Sequence, residues 1–348
     1  MKYRNGFRQA LVATGVAAVI VASSCGSTDD GQSGAATTAA TATTAAAPSV
    51  AAAPTTVAAP SWPLTAPAAS LPVTVTDANG VPVTVTSIDR IASLQGDISE
   101  ILWTLGLNDR IAVVDTTAVY PDTLLKTKPN AGFFRTLSAE GLLAQRPTVV
   151  LAHPGAGPAE VLAALKSAGI PIVLIPEFNG TDLLEAGKKI RAVGAAVGLA
   201  DHAAKLATQV DSDINKAITD AKAAAKTPPV AAYIVPRGQQ VFLTGLDSPS
   251  NAIIEAAGGS PVAKLLKLDK ATLLTPEALA SVQPQFIVST FTAVAQAGGD
   301  AAFLSIAGIA ETPAAKNKKL LQFDDTLVQQ LGPRTGQAVR ELSKKFFA

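Results

Sequence analysis

The sequence predicts an α/β protein of two similar lobes, each with a central, mostly parallel sheet, joined by one long helix. Three observations support this: strand and helix patterns alternate in two stretches, a long helical pattern separates them, and a 16-residue pattern occurs once in each stretch. Sheets of this kind bind ligands beyond the carboxyl ends of their strands. The sequence therefore predicts a ligand cleft between the lobes.

The predicted N-terminal lobe spans residues 71–180. Alternating "VTVT" segments on either side of Asn79-Gly80 predict a hairpin. The apolar runs "RIASL", "RIAVVD", "TVVLA" and "PIVLIP" predict buried strands. Helical patterns at 97–105, 138–145 and 158–168 lie between them.

The predicted interlobe helix spans residues 181–227, and the predicted C-terminal lobe spans 228–348. Apolar residues recur at helical spacing from Leu184 to Ile218, and the pattern stops at Pro228-Pro229. An unbroken helix of this length would approach about 60 Å. In the C-terminal lobe, "VAAYIV", "VFLTG" and "QFIVS" predict strands, with helical patterns at 249–257, 276–282 and 335–345.

The internal repeat aligns residues 137–152 with 274–289 at a constant offset of 137. A hydroxyl residue, an early Glu, a short helix, a Pro and a buried strand follow one another in both copies. This order indicates two related lobes.

The N-terminus has the features of a bacterial lipoprotein signal peptide, predicted over residues 1–24. Three basic residues precede an apolar run at 10–22, which is too short to span a bilayer with these flanks. Cys25, the single cysteine, follows small residues and is the predicted lipidation site, although Ala22 replaces the usual Leu, Val or Ile. The alternative is a free buried thiol.

Residues 25–70 are the predicted lipid-anchored, disordered Ala/Thr/Pro tether. Positions 31–70 have no charged side chain and few bulky apolar ones to offset chain entropy. A flexible chain of 40 residues reaches roughly 35 Å on average. The predicted location is therefore extracytoplasmic, with the protein anchored to the bacterial cell membrane by lipid alone.

Charge and motif content exclude several functions. Loss of residues 1–24 would change the formal net charge from +1 to −2, and no basic patch is evident, which argues against nucleic acid. The glycine pair at 155 and 157 lacks a third glycine, because Glu160 stands there. Two His and one Cys cannot form a His-rich zinc site, and no nucleophile motif suggests an enzyme.

Five segments carry a resemblance to a known family: "RIASLQGDISEILWTLGLNDRIAVVDTTAVYP", "RTLSAEGLLAQRPTVVLA", "LTPEAL", "TPAAKNKKLLQFDD" and "LGPRTG". From about residue 73 to the end, the chain resembles the substrate-binding lipoproteins of bacterial haem ABC importers. These belong to the binding proteins with a rigid interlobe helix, which include siderophore- and cobalamin-binding relatives. The resemblance implies a monomeric, non-enzymatic receptor that delivers hemin to a permease dimer with its ATPase, haem being cargo and not a catalytic cofactor.

The resemblance implies that Tyr120 and His153 are axial ligands of the haem iron. Tyr120 lies in the segment that matches "DTT…YP" of the family, and a phenolate is a hard oxygen donor that suits ferric iron. His153 follows "TVVLA", and neutral imidazole binds iron. The alternatives are a tyrosine packed at the lobe edge and a loop histidine bonded to backbone.

The second lobe departs from the family pattern. Relatives have Tyr-x-Arg-Gly on its first strand with the Tyr on iron, whereas this chain has Val235 at the Tyr position. Tyr233 is two residues earlier on the same face of the strand and is a substitute candidate, at a deeper position. The alternative is a tyrosine packed in a buried strand. Arg237 is retained and is a candidate partner of a ligand carboxylate. Arg135 and Arg334 are lesser candidates, with surface ion pairing as the default.

Glu140 and Glu277 occupy equivalent positions in the repeat. In the family, one Glu per lobe docks onto the permease dimer, and these two match that role. The alternative is a carboxylate favoured by the helix dipole.

Two rival functions remain. The same fold would serve a ferric siderophore or a corrinoid, and a cell-surface sensor or interaction module would need no permease.

Overall fold

The computed structural model describes residues 65–177, 182–237 and 240–348. The predicted signal peptide, Cys25 and the tether up to residue 64 lie outside the described residues. Residues 65–70, assigned to the tether, lie against the folded body: Ala66 and Ala69 pack on its core, and the Ser70 amide donates to the Gly198 carbonyl at 2.9 Å. The ordered body therefore begins before residue 71.

Twelve strands and fourteen α-helices form the described chain. The strands are β1 Val73–Thr76, β2 Pro82–Val85, β3 Ile91–Leu94, β4 Ile111–Val114, β5 Val149–Ala152, β6 Ile172–Leu174, β7 Val230–Arg237, β8 Gln240–Leu243, β9 Ser260–Pro261, β10 Thr272–Leu273, β11 Phe286–Thr290 and β12 Leu320–Phe323. The helices are α1 Gly96–Thr104, α2 Thr123–Thr127, α3 Ala139–Ala144, α4 Ala159–Ser167, α5 Glu185–Ala196, α6 Ala200–Ala224, α7 Pro249–Ala256, α8 Val262–Leu265, α9 Pro276–Val282, α10 Phe291–Gln296, α11 Asp300–Leu304, α12 Pro313–Lys316, α13 Asp325–Gln329 and α14 Thr335–Phe347.

The N-terminal lobe is built on a four-stranded parallel sheet in the order β4-β3-β5-β6. The predicted hairpin forms a separate antiparallel pair, β1 with β2. Buried apolar side chains cover both faces of the parallel sheet, which explains why its strands are continuous apolar runs.

The C-terminal lobe has a mixed sheet in the order β10-β8-β7-β11-β12, with β9 also paired to β7. The strands β7, β9, β11 and β12 are parallel, and β8 is antiparallel to β7. The predicted class, two α/β lobes with mostly parallel sheets, is confirmed.

The structure also contains the predicted repeat. β5 begins at Val149 and β11 at Phe286, and the preceding helices α3 and α9 begin at Ala139 and Pro276, all at the offset of 137. The left-handed residues that end these helices repeat at the same offset: Arg146 has φ 46° and Gln283 has φ 47°. The two lobes therefore share backbone conformation as well as pattern.

The predicted single interlobe helix is wrong. The chain forms two helices, α5 and α6, and Gly198 between them has φ +70°. The Leu199 amide donates to the Gly194 carbonyl at 2.8 Å, which closes α5 in the glycine-terminated form typical of helix ends.

Helix α5 then packs back against α6. A Cβ on Gly194 would lie 2.0 Å from Cβ of Ala203, so only glycine permits this approach. Helix α6 alone has 25 residues and spans about 38 Å, well short of the expected strut. A continuous core nevertheless joins the lobes through α5, α6 and α14.

Within residues 65–177, 182–237 and 240–348, no helix is long and apolar enough to cross a membrane.

Candidate functional site

The carboxyl ends of the two parallel sheets face each other across the lobes. Gly96 begins α1 after β3 of the first lobe, and Thr326 follows β12 of the second. A Cβ on Gly96 would lie 2.6 Å from Cγ2 of Thr326 and 2.1 Å from the carbonyl oxygen of Thr117. The loops at the strand ends therefore form the contact between the lobes, where the sequence predicted the cleft.

The turn before Tyr120 is held by a buried carboxylate. Asp115 directly follows β4 and is 0% exposed. Its Oδ1 and Oδ2 accept from the Thr117 hydroxyl at 2.9 and 3.0 Å, and the Thr117 Oγ1 in turn accepts from the Gly96 amide at 2.8 Å. This network fixes the start of the segment that carries Tyr120.

Burial raises the pKa of Asp115 to about 6, although Thr117 hydrogen bonds oppose the shift. In the unfolded chain an Asp titrates near 3.9. The folded protein then binds more protons than the unfolded chain between about pH 4 and 6, so this group lowers stability as the pH rises through that window.

Asp115→Asn should lack this loss of stability. Between about pH 4 and 7, the free energy of unfolding of the wild type should fall by roughly 2 to 3 kcal/mol more than that of Asp115→Asn. Urea unfolding of both proteins across this range measures it, with exposed Asp201→Asn as the control for loss of one charge. Equal pH dependence in the wild type and Asp115→Asn would contradict the assignment.

Tyr120 is half-buried between an aromatic ring and a cation. The edge of its ring meets Trp103, with centroids 6.0 Å apart and planes at 77°. The guanidinium carbon of Arg334, from the other lobe, lies 3.4 Å from the Tyr120 ring centroid. Burial raises the pKa of Tyr120, and the Arg334 cation acts against it by favouring the phenolate.

Arg334 is a buried interlobe residue, and the surface ion pair expected by default is wrong. It is 5% exposed. Its Nε and Nη2 donate to Oε1 and Oε2 of Glu100, on α1 of the first lobe, at 3.1 and 2.9 Å. Its Nη1 and Nη2 also donate to Asp324, the residue after β12, at 2.6 and 3.2 Å. Two forked ion pairs thus meet on one guanidinium.

His153 lies at the end of β5, at the same edge as Tyr120. Its Nδ1 accepts from the Gly155 amide at 2.7 Å, and its Nε2 is 3.3 Å from Oε2 of Glu177. Because Nδ1 is an acceptor, the neutral ring carries its proton on Nε2. Burial lowers the pKa of His153, and the negative charge of Glu177 opposes this shift. The lowered pKa favours the neutral imidazole that a metal ligand requires.

A second buried ion network lies beneath His153. Lys189 on α5 forms an ion pair with buried Asp97 and lies 3.4 Å from Glu177. Glu177 therefore links the imidazole to the interior of the lobe. This network, like that of Arg334, could not be read from the linear pattern.

Arg135 shares the loop environment of His153. Its guanidinium carbon lies 5.0 Å from the ring centroid of Phe134, and that ring is 4.8 Å from the His153 ring. A Cβ on Gly155 would lie 3.0 Å from Nη1 of Arg135. The exposed Arg135 thus places a positive charge beside the imidazole.

Tyr120 and His153 lie at the same edge but not in contact. They follow β4 and β5, which flank β3, so two strand spacings, about 10 Å, separate the strand ends. Tyr120 contacts the Arg334 group, whereas His153 contacts Phe134 and Glu177. Simultaneous ligation of one iron would require these loops to approach each other.

The structure contradicts Tyr233 as a ligand contact. Tyr233 is 2% exposed and lies in the core, because β7 is a central strand between β8 and β11. Burial raises the pKa of its phenol, so the phenolate is disfavoured. Arg237 ends β7, and its side chain lies outside the described residues.

Two exposed phenylalanines add apolar surface that the sequence analysis missed. Phe133 is 42% exposed beside Phe134, and Phe291 is 45% exposed directly after β11. Phe291 is the repeat equivalent of Pro154, the residue after His153. Phe291 follows the carboxyl end of β11, and Phe133 packs against Phe134, whose ring contacts His153 at the carboxyl end of β5. A large apolar ligand would need such surface there.

Glu140 and Glu277 are exposed in the first turns of α3 and α9. Ser138 and Thr275 cap these helices by accepting from the Gly141 and Ala278 amides. Neither carboxylate has a hydrogen-bonding or ion-pairing partner among the described residues. Both acids are therefore presented in the same way by the two lobes.

Known proteins share both the sequence pattern and the fold. The profile of the periplasmic binding protein family matches residues 91–327. The structure of the periplasmic heme-binding protein RhuT from Roseiflexus sp. RS-1, in apo form, is similar with a TM-score of 0.70 and 33% identity, covering 74% of this chain and 98% of that one.

Two curated relatives are also similar. The uncharacterized ABC transporter substrate-binding lipoprotein YvrC of Bacillus subtilis is 27% identical over 79% of this chain and 86% of its own length. The vitamin B12-binding protein of Vibrio parahaemolyticus is 22% identical over 74% of this chain and 90% of its own. The profile match over more than half of the sequence and the RhuT likeness together show that this chain belongs to the periplasmic binding protein family.

Proposed function

We propose that this chain is an extracytoplasmic receptor that binds haem and delivers it to an ABC permease. Its family and the proteins of similar structure are substrate-binding proteins, not enzymes, and the family indicates a location outside the cytoplasm. The observation that carries the cargo assignment is the interlobe edge, the loops at the carboxyl ends of the two sheets that carry Tyr120, His153 and Phe291. It presents a neutral imidazole, a tyrosine under a guanidinium and exposed aromatic surface on a fold shared with heme-binding proteins.

In this proposal Tyr120 and His153 are the iron ligands. Arg334 favours the phenolate form of Tyr120, and neutral His153 has a lone pair on Nδ1 that becomes available to iron once Nδ1 leaves the Gly155 amide. Arg135 and Arg237 are the proposed contacts of the ligand carboxylates, since a guanidinium binds a carboxylate through two parallel hydrogen bonds. Phe133 and Phe291 would cover the flat faces of a macrocycle.

A corrinoid is the second candidate cargo. Vitamin B12-binding proteins are among the relatives, and the second lobe has Val235 and a buried Tyr233 where a haem-binding relative is expected to place a ligand. A corrinoid already carries its axial ligands and needs no protein phenolate. This alternative keeps the fold, the anchor and the permease.

The proposal is tested by ultraviolet-visible titration of the protein with hemin. We expect a Soret shift and charge-transfer bands for wild type, changed bands for Tyr120→Phe, and a different change for His153→Ala. Tyr233→Phe serves as the matched control and should leave the spectrum unchanged. Absence of a band shift in wild type, together with binding of cyanocobalamin, would replace haem by a corrinoid.

A further inference from the structure

The end of the C-terminal lobe away from the interlobe edge is defined by the beginnings of its parallel strands. β7, β11 and β12 all start there. α14 reaches the same end, because the Phe346 ring lies 5.1 Å from that of Phe286, the first residue of β11. α6 also ends there, since Ala225 and the Phe347 ring both approach Gly258.

This end is rich in lysine. Six exposed lysines lie in the segments that meet there, and we call this surface the basic end: Lys222, Lys226, Lys316, Lys318, Lys319 and Lys344. Lys319 extends over the ring of Phe286 with its Nζ 5.7 Å from the centroid.

The lysines of the basic end have no hydrogen-bonded carboxylate among the described residues. Elsewhere on the described surface, ion pairs neutralise exposed lysines at 126, 216, 264 and 270. The contributing segments 222–230, 312–320 and 343–348 contain no Asp or Glu. Asp220, Glu311 and Glu341 lie within two residues of these segments, and Asp220 is paired with Lys216. The six lysines outnumber these acids and none is paired with one of them in the described part of the chain, although the linear sequence showed no basic patch.

We propose that the basic end binds the surface of an anionic membrane through phospholipid headgroups. Lysines near such a surface each contribute roughly 1 kcal/mol, or about a fivefold gain in partitioning. The occupant is taken as lipid because the chain is expected to lie within about 35 Å of a bilayer on its tether. In a receptor bound through the basic end, the C-terminal lobe would lie between the bilayer and the interlobe edge.

The membrane contact does not depend on the cargo. It would hold the receptor with the C-terminal lobe between the bilayer and the loops that carry Tyr120 and His153. Glu140 and Glu277 are at the starts of helices that run toward the opposite end of the strands from the interlobe edge. Release from the headgroups would therefore precede docking of these acids on a permease, and this release should be favoured by salt.

Lysine footprinting of the full chain tests the proposal. The chain is mixed with phosphatidylglycerol or phosphatidylcholine vesicles at about 0.01 M salt, where charges act over about 30 Å. Exposed amines are acetylated and read by mass spectrometry. We expect the reactivity of Lys316, Lys318 and Lys319 to fall with phosphatidylglycerol only, and to recover at about 1 M salt.

Three exposed lysines away from the basic end serve as internal controls: Lys166, Lys188 and Lys205. Their reactivity should not change. The K316Q/K318Q/K319Q variant should lose about a hundredfold in partitioning onto phosphatidylglycerol, three factors of about five.

Equal protection on both lipids, equal protection of the control lysines, or unchanged binding of the triple variant would overturn the proposal. Protection by isolated anionic cell-wall polymer but not by vesicles would also overturn it. Protection by phosphatidylglycerol in a protein that fails to bind hemin would leave this inference standing and remove only the haem assignment.

Discussion

Replacing Arg334 with Met should destabilise the protein by about 3 to 5 kcal/mol, the cost expected when one partner of a buried ion pair is removed. Arg334 is 5% exposed and donates two hydrogen bonds each to Glu100 and Asp324. Methionine fills much of the volume but provides no charge and no donor. The carboxylate of Glu100 would remain buried without its cation.

The melting temperature should fall by roughly 10 °C, since 1 kcal/mol corresponds to about 2 to 4 °C in a domain of this size. The loss of stability caused by Arg334→Met should be smaller at low pH. Burial already raises the pKa of Glu100 even with Arg334 present, so removal of the cation should raise it further. Protonation of Glu100 then relieves the unpaired charge, and the two proteins should become more alike as the pH falls.

Arg340→Met is the matched control. Arg340 also forms a two-point ion pair, with Asp213 at 2.7 and 3.0 Å, but both side chains are partly exposed. Such pairs contribute about 0 to 1 kcal/mol. Adding Glu100→Gln to Arg334→Met should recover part of the stability. A loss for Arg334→Met no larger than that for Arg340→Met would refute the buried interlobe pair.

The buried ion pair between Glu100 and Arg334 could not be predicted from the sequence. Glu100 and Arg334 are 234 positions apart, Glu100 in the middle of α1 and Arg334 just before α14. Only the meeting of the two strand edges buries them together. The strands that carry these loops were predictable, because continuous apolar runs bounded by polar turns are specific for buried parallel strands.

The break in the interlobe helix and the burial of Tyr233 differ in how far the sequence revealed them. The break at Gly198 carried a visible signal, since a glycine followed by a new helix start is typical of a helix end. The sequence left Tyr233 open between a deep ligand contact and a tyrosine packed in a buried strand, because alternation along a strand shows which face a residue shares but not how far it lies from the sheet edge. The depth of β7 depends on β8 and β11 at its sides, which only the folded topology supplies.

Reversing both Glu140 and Glu277 to Lys should abolish cargo uptake while leaving ligand binding and stability nearly unchanged. The two acids are equivalent in the repeat, exposed, and placed in the first turn of helices capped in the same way. A permease made of two similar subunits presents two similar surfaces, and matching acids on the two lobes suit such a partner. Neither carboxylate is needed within the described fold, where neither has a partner.

The expected decrease in affinity for the permease follows from the loss of two interfacial charge pairs. Removing one partner of a desolvated pair costs about 2 kcal/mol or more, roughly thirtyfold in affinity, and the introduced lysines add repulsion. Two such losses would reduce docking by about a thousandfold if the sites act independently. Each single reversal should therefore leave measurable uptake, whereas the double reversal should leave none.

Glu160→Lys is the control that distinguishes a loss of docking from the loss of a favourable helix-dipole interaction. Glu160 is an exposed acid in the first turn of α4, so its reversal removes the same helix-dipole interaction of about 0.3 to 1 kcal/mol. Its repeat equivalent is Ala297, so it cannot belong to a symmetric pair. Radiolabelled uptake in cells expressing each variant, with hemin binding measured in parallel, gives the result. Uptake that survives the double reversal, or fails equally with Glu160→Lys, would show that these acids do not form the docking pair.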